Sequence, residues 1–159
     1  MNRNSFISYV KSNQRSLRRY LVALCNGDIS LADDIAQDTY VKAYLASDTF
    51  RDETKFTAWI YKIAYNTYLN SRRTLHQSEG IENIQDKIAD QNNDEPFKYQ
   101  ELYSSLESLS ETERSAILLF YMQGYNTKEI SQIIDVSESN VRQLLSRGRK
   151  KLKCILNGK

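Results

Sequence analysis

Residues 123–153 read QGYNTKEISQIIDVSESNVRQLLSRGRKKLK, and their punctuation decides the fold. Asn126 followed three residues on by Glu129 is a capping pair that opens a short helix. Asp135, Val136 and Ser137 make a turn, and Ser137 caps a last helix running to about Leu156. On that helix Val141, Leu144, Leu145, Gly148 and Leu152 share one side and should pack inward. Glu138, Ser139, Asn140, Arg142, Gln143, Ser146, Arg147, Arg149 and Lys150 fall outside that stripe. A short helix, a tight turn and a longer helix form the outline of a helix-turn-helix, whose second helix fits the DNA major groove. From Arg142 to Lys153 there are six basic residues and no acidic one. Arginine bonds a guanine edge bidentately, glutamine an adenine edge, and lysines suit phosphates. The competing reading is a merely solvated basic helix end that complements its own dipole. The preceding helix, the turn and the one-sided basicity argue against it.

Working outward, Ser110 with Glu113 is a second capping box. The helix it opens carries Ile117, Leu118, Phe120 and Tyr121 and stops at Gly124. Leu102, Leu106 and Leu109 belong to the helix before it. Residues 76–98 are acidic, amide-rich and almost free of large apolar groups, with Pro96 near their end. Such a stretch cannot bury enough surface to offset its ordering entropy, so it reads as a flexible linker. A short amphipathic turn at Ile81, Ile84 and Ile88 is its one apolar feature.

Three helices are expected ahead of the linker. The first spans residues 5–26, with Phe6, Ile7, Val10, Leu17, Tyr20, Leu21 and Leu24 at helical spacing and Gly27 as a stop. The second is expected to be capped by Ser30, with Asp33 completing a box variant, and to run to about Ala46. Leu31, Ala32, Ile35, Ala36, Thr39 and Ala43 make its buried face. Its other side carries Asp33, Gln37, Tyr40, Val41 and Tyr44, a mixture that suits a protein partner better than DNA. After a polar loop at residues 47–54, a third helix runs from about Lys55 to Thr74, with Phe56, Trp59, Ile60, Ile63 and Ala64 as core.

That third helix has a second face. Tyr61, Tyr65, Tyr68 and Arg72 stand at i, i+4, i+7 and i+11, with Lys62, Asn66 and Arg73 beside them. Rings next to cations hold unstacked bases, so we read the stripe as an exposed single-strand platform. The alternative is that the tyrosines pack on the first or second helix with their hydroxyls in water.

Composition fits this outline. With one proline and five glycines in 159 residues, and no alternating β-branched runs, the chain is expected to be all-α. The net charge of +2 hides a distribution. Residues 1–75 carry 11 basic and 7 acidic side chains, residues 76–98 carry 2 and 6, and residues 99–159 carry 9 and 7. Cys25 and Cys154 are far apart and His76 is the only histidine. No metal site, disulfide or cofactor is expected, and no glycine-rich phosphate loop or catalytic grouping is present. Without an apolar run of about 18 residues or a leader, a cytoplasmic protein is expected, with no membrane insertion.

Two blocks together resemble a known family. ADDIAQDTYVKAYLASDTFRDETKFTAWIYKIAYNTYLNSRR (residues 32–73) is similar to region 2 of sigma factors. SLSETERSAILLFYMQGYNTKEISQIIDVSESNVRQLLSRGRKKL (residues 108–152) is similar to their region 4. Two small helical domains are the layout of the extracytoplasmic-function (ECF) group of sigma-70-like factors. The resemblance implies region 2 over 1–75, a linker over 76–98 and region 4 over 99–159. It implies a non-enzymatic, dissociable initiation subunit of bacterial RNA polymerase that directs transcription initiation. Its implied partners are the clamp and flap of the polymerase core, promoter DNA and an anti-sigma factor. Asp33, Asp34, Gln37, Asp38, Val41 and Tyr44 would dock on the clamp. Lys55, Tyr61, Lys62, Tyr65, Asn66, Tyr68, Arg72 and Arg73, with the loop before them, would capture and melt the -10 element. Ser139, Asn140, Arg142, Gln143, Ser146, Arg147, Arg149 and Lys150 would read the -35 element. Asp135, Asn140, Leu144 and Gly148 depart from the usual glycine, threonine, arginine and alanine, which bears on -35 base preference. The alternative function is a helix-turn-helix regulator that binds duplex DNA without polymerase.

Overall fold

The structure is a computed structural model, and it describes residues 1–77 and 100–157. From residue 78 on, the acidic segment, including the turn expected at Ile81, Ile84 and Ile88, lies outside the described residues. The described residues are all-α, as the composition leads one to expect. Three helices precede the gap: α1 (Arg3–Leu24), α2 (Ile29–Ala46) and α3 (Phe56–Gln77). Four follow it: α4 (Gln100–Glu107), α5 (Glu111–Ile117), α6 (Thr127–Ile134) and α7 (Glu138–Asn157). Two short 3-10 turns, Ser47–Thr49 and Glu53–Lys55, bridge α2 to α3. A π turn, Leu118–Met122, prolongs α5.

The helix ends follow local chemistry. Ser110 and Glu113 form the expected reciprocal box at α5, and Asn126 and Glu129 form the other at α6. The Ser137 hydroxyl accepts from the Asn140 backbone at the start of α7, at 3.1 Å. Gly27 and Gly124 end their helices with positive φ, +90° and +78°. The expectation at α2 was two residues late. Asp28, not Ser30, is the N-cap, and its carboxylate accepts from the Leu31 backbone at 3.1 Å. Asp33 is not part of that cap; it pairs with Arg18 of α1 at 2.8 Å.

Packing joins the helices before the gap to those after it. α1, α2 and α3 pack on one another, and α5, α6 and α7 do the same. The two groups are not separate bodies, because α6 lies on α3 while α5 and the π turn lie on α1. One continuous apolar core results, running from Phe6, Leu17 and Ile60 to Leu119, Ile130 and Leu145. Gly27 marks the closest approach: a Cβ there would stand 3.0 Å from the Tyr103 ring of α4. Helix α3 is therefore covered on two sides. Phe56, Ile60 and Ala64 face inward as expected, and Trp59 and Ile63 are half-buried.

Candidate nucleic-acid interface

Helix α7 presents what its sequence promises. Val141, Leu144, Leu145 and Gly148 are buried, and Ser139, Asn140, Arg142, Gln143, Ser146, Arg147, Arg149 and Lys150 are exposed. Side-chain contacts order that surface without hiding it, among them Arg147 donating to the Gln143 side chain at 3.4 Å. Glu138 lies 3.8 Å from the Arg142 guanidinium, and Arg149 donates to the Tyr121 hydroxyl at 3.1 Å. The turn before α7 holds Asp135 at φ +61°, the left-handed conformation in which glycine is more common. The first helix of the pair, α6, buries Ile130, Ile133 and Ile134, so its placement rests on apolar packing.

Helix α3 departs from expectation. Its tyrosine stripe is not exposed: Tyr61, Tyr65 and Tyr68 are 0, 3 and 2% exposed. The reason is the second group of helices. The Tyr61 hydroxyl donates to the Gln123 side chain at 2.8 Å, and the Tyr61 ring meets Tyr125 edge-to-face at 5.6 Å. The Tyr68 hydroxyl lies 3.4 Å from the Glu111 carboxylate. Arg72 is ion-paired with Glu111 at 2.7 Å. Burial pushes the Tyr61 and Tyr65 phenols up to about 12, so both stay neutral. The alternative weighed from sequence, packing on the first or second helix, accounts for part of this: Tyr20 of α1 meets Tyr61 edge-to-face at 5.2 Å. Across the same seam the Tyr20 hydroxyl bonds Ser115 of α5 at 2.8 Å. What remains open on α3 is a polar ridge of Lys62, Asn66, Asn70 and Arg73, with Lys55 at the foot of the helix.

The loop before α3 is braced by rings. Phe50 stacks on Trp59 with centroids 4.2 Å apart and planes 14° apart. Phe56 in turn stacks on Tyr9 at 4.9 Å. This stack holds residues 50–56 at one end of α3.

On α2, Asp34, Gln37, Asp38, Val41 and Tyr44 are exposed, and Asp33 and Tyr40 are half-buried. Sequence reasoning missed Leu45, which is 74% exposed. Its signal was present, because Val41 and Leu45 stand four apart on one helix face. Together with Val41, at 58% exposed, it makes an apolar strip beside acidic and amide groups. Burial raises the Tyr40 phenol, while Tyr44 lies against Phe6 at 5.4 Å.

Sequence reasoning also missed Arg114. It is buried, and its guanidinium donates to the Leu106 and Leu109 carbonyls, the Leu24 carbonyl and the Tyr68 hydroxyl, at 2.9 to 3.1 Å. Two of those four acceptors belong to the helices before the gap. Among the described residues no helix is long and apolar enough to cross a membrane, and no group of three His, Cys, Asp or Glu could hold a metal ion.

Comparison with known proteins gives the family. Sigma-70 region 2 matches residues 9–77, and Sigma-70, region 4 matches residues 99–152. The RNA polymerase sigma factor SigZ of Bacillus subtilis (strain 168) is 32% identical over 145 residues, covering 89% of this chain and 81% of that protein. The ECF RNA polymerase sigma-E factor of Escherichia coli (strain K12) is 30% identical over 139 residues, covering 78% and 71%. In fold, the chain is similar to the sigma factor RpoE solved with the anti-sigma factor NepR from Bartonella quintana. That likeness has a TM-score of 0.81 at 24% identity, over 96% of both chains. CnrH, solved with the cytosolic domain of CnrY, gives 0.76 at 23% identity, over 99% of this chain and 91% of that one. Both sigma regions in their order, on relatives matched across most of their length, establish that this chain belongs to the sigma-70 family of RNA polymerase sigma factors, in the ECF group.

Proposed function

We propose that this sigma factor grips a promoter at two points, with residues 1–75 and 99–159 as the two gripping units and 76–98 joining them. The face of α7 formed by Ser139, Asn140, Arg142, Gln143, Ser146, Arg147, Arg149 and Lys150 reads the -35 element in the major groove. Helix α3 and the loop before it take the -10 element as one strand. Lys55, Lys62, Asn66 and Arg73 meet the strand first. Tyr61, Tyr65, Tyr68 and Arg72 follow once the seam has parted. Asp33, Asp34, Gln37, Asp38, Val41 and Tyr44, extended by Leu45, dock on the polymerase clamp, and the C-terminal unit meets the flap. The work is binding, not bond-making, and it is done in the cytoplasm. An anti-sigma factor is the expected regulator, since the similarly folded RpoE is solved with the anti-sigma factor NepR.

The observation that carries this reading is α7. It packs by four apolar or small positions and leaves eight polar and basic positions of the expected -35 set open. The experiment is transcription in vitro with purified core polymerase on genomic templates, with start sites mapped. Specific starts that require this chain are expected. Tight specific duplex binding without core, and no dependence of transcription on this chain, would instead indicate a duplex-only regulator. Tyr65→Ala should slow open-complex formation on duplex promoters more than on pre-melted ones. Wild-type rates on both would remove α3 from strand capture.

A further inference from the structure

Arg149 is held differently from the other arginines of the α7 surface. Arg142 lies 3.8 Å from the Glu138 carboxylate, and Arg147 donates to the Gln143 side chain at 3.4 Å, both within one helix. Arg149 instead donates at 3.1 Å to the hydroxyl of Tyr121, which stands on another element, the π turn that prolongs α5. Among the described residues Arg149 makes no ion pair.

Tyr121 breaks the pattern of its own helix. Its sequence neighbours Ile117 and Leu118 are buried, yet Tyr121 is 58% exposed. The wide turn is closed by the Gln123 backbone, which donates to the Leu118 carbonyl at 3.2 Å. Such turns recur at functional sites. Phe120 is half-buried and meets the Tyr121 ring edge-to-face at 4.9 Å, which steadies it.

The hydroxyl geometry selects the ligand. A phenol carries one O–H donor and two acceptor lone pairs. Accepting from Arg149 uses a lone pair and leaves the O–H to donate outward. The guanidinium has further N–H donors beside it. Donors from two elements therefore meet at one point, with a positive charge and no carboxylate, as a phosphate oxygen requires. At Arg142 an incoming phosphate has to displace Glu138, whereas at Arg149 the partner is a hydroxyl that can stay. Position selects backbone over bases. Glu138 opens α7, and Arg149 lies about 16 Å further along it at 1.5 Å per residue. It is the N-terminal residues of such a helix that reach base edges.

We propose that Tyr121 and Arg149 form a two-donor clamp for one backbone phosphate of the -35 duplex, Tyr121 being both a ligand and the positioning residue of Arg149. The clamp fixes α7 along the groove from a second element, the end of α5, while the start of α7 reads bases. It rests on the reading of α7 as the -35 helix.

The test uses holoenzyme and duplex fragments of a promoter mapped by the transcription experiment above. Tyr121→Phe removes one exposed hydroxyl and keeps the ring. It is expected to weaken promoter binding about fivefold, in the range of one hydrogen bond, with core binding unchanged. In an Arg149→Ala background the same change should cost less than about twofold, because coupled residues are not additive. Arg149→Ala should also lower the salt slope of binding by about one, as for a single phosphate contact. Fragments with one uncharged methylphosphonate at a time, scanned through the -35 backbone, identify the phosphate. One position should weaken wild-type holoenzyme as Tyr121→Phe does, and on that fragment Tyr121→Phe should have no further effect.

Full promoter affinity of Tyr121→Phe, with Arg142→Ala defective, overturns the clamp and keeps the -35 reading. So does a Tyr121→Phe loss that persists in full beside Arg149→Ala, or that no methylphosphonate position absorbs, because the hydroxyl would then serve the fold or a base. If a folded Arg142→Ala chain binds promoter like wild type, or no promoter can be mapped, the -35 reading fails and the clamp with it.

Discussion

Arg114 donates to three carbonyls and a phenol and sits buried at the seam. Arginine suits that position because its planar fork reaches several acceptors at once, whereas an ammonium cannot match the spread. Arg114→Lys is expected to lose about 3 kcal/mol of stability, measured by denaturant unfolding, because buried acceptors are left unpaired. A loss below about 1 kcal/mol would mean water replaces the fork without penalty. On the DNA side, Arg142 is exposed and held loosely by Glu138. Arg142→Ala should weaken promoter binding by holoenzyme about tenfold or more, in the range of one lost base contact, with core binding unchanged. Competition binding with core against promoter fragments separates the two; unchanged promoter affinity in a folded variant would remove Arg142 from the interface.

At the scale of elements, α5 and α7 are joined by a glycine contact and an ion pair. A Cβ on Gly148 would stand 2.8 Å from Ile117 Cγ1, so this glycine allows close helix packing. Gly148→Ala gains about 1 kcal/mol of helix propensity but overpacks the contact at about 1–3 kcal/mol. A net loss near 1 kcal/mol is expected in a thermal melt, relieved in an Ile117→Val background. A stabilised single variant would show that Ile117 yields freely. Lys151 meets the Glu113 carboxylate at 2.8 Å. Burial works against that charge, but Lys151 and Ser110 outweigh it and hold the carboxyl below its usual range. Its contribution is therefore complete above the ordinary glutamate value of about 4.3 and is lost as pH falls toward the folded-state value. Melting between pH 7 and pH 3 should be less pH-dependent in Glu113→Gln; equal slopes would show that Glu113 is not linked to folding. Helix boxes and the α7 stripe were legible because they depend on residues three or four apart. Asp28 as a cap was missed because Ser30 offers the same chemistry two residues later.

For the whole molecule, the class and the two-part plan could be read from the sequence, but the seam could not. Tyr61, Tyr65 and Tyr68 lie on one line of α3, and periodicity placed them on one face but read that face as exposed, whereas all three are buried. What periodicity lacks is the identity of the covering surface. Glu111 and Arg114 are ordinary polar residues in α5 and Gln123 is one in the loop before α6, and only the packing of α6 on α3 and of α5 on α1 brings them to that face. Leu45 shows the reverse case: a large apolar side chain left in the open by an otherwise well-packed chain, where a partner would cover it.

Cys25 follows Leu24, the residue whose carbonyl Arg114 holds. Its thiol is buried, and burial with Asp28 nearby pushes it up to about 12 against the pull of Arg114 and Arg72. At neutral pH almost none of it is thiolate, so it should alkylate far more slowly than an ordinary thiol. In a Cys154→Ser chain, Cys25 becomes a clock: the rate of iodoacetamide uptake times each separation of the two halves. Adding core polymerase should speed that clock, and an unchanged rate would mean that the polymerase leaves this corner shut. In the presence of iodoacetamide the protein thus keeps a chemical record of how often it has been open, readable by mass spectrometry.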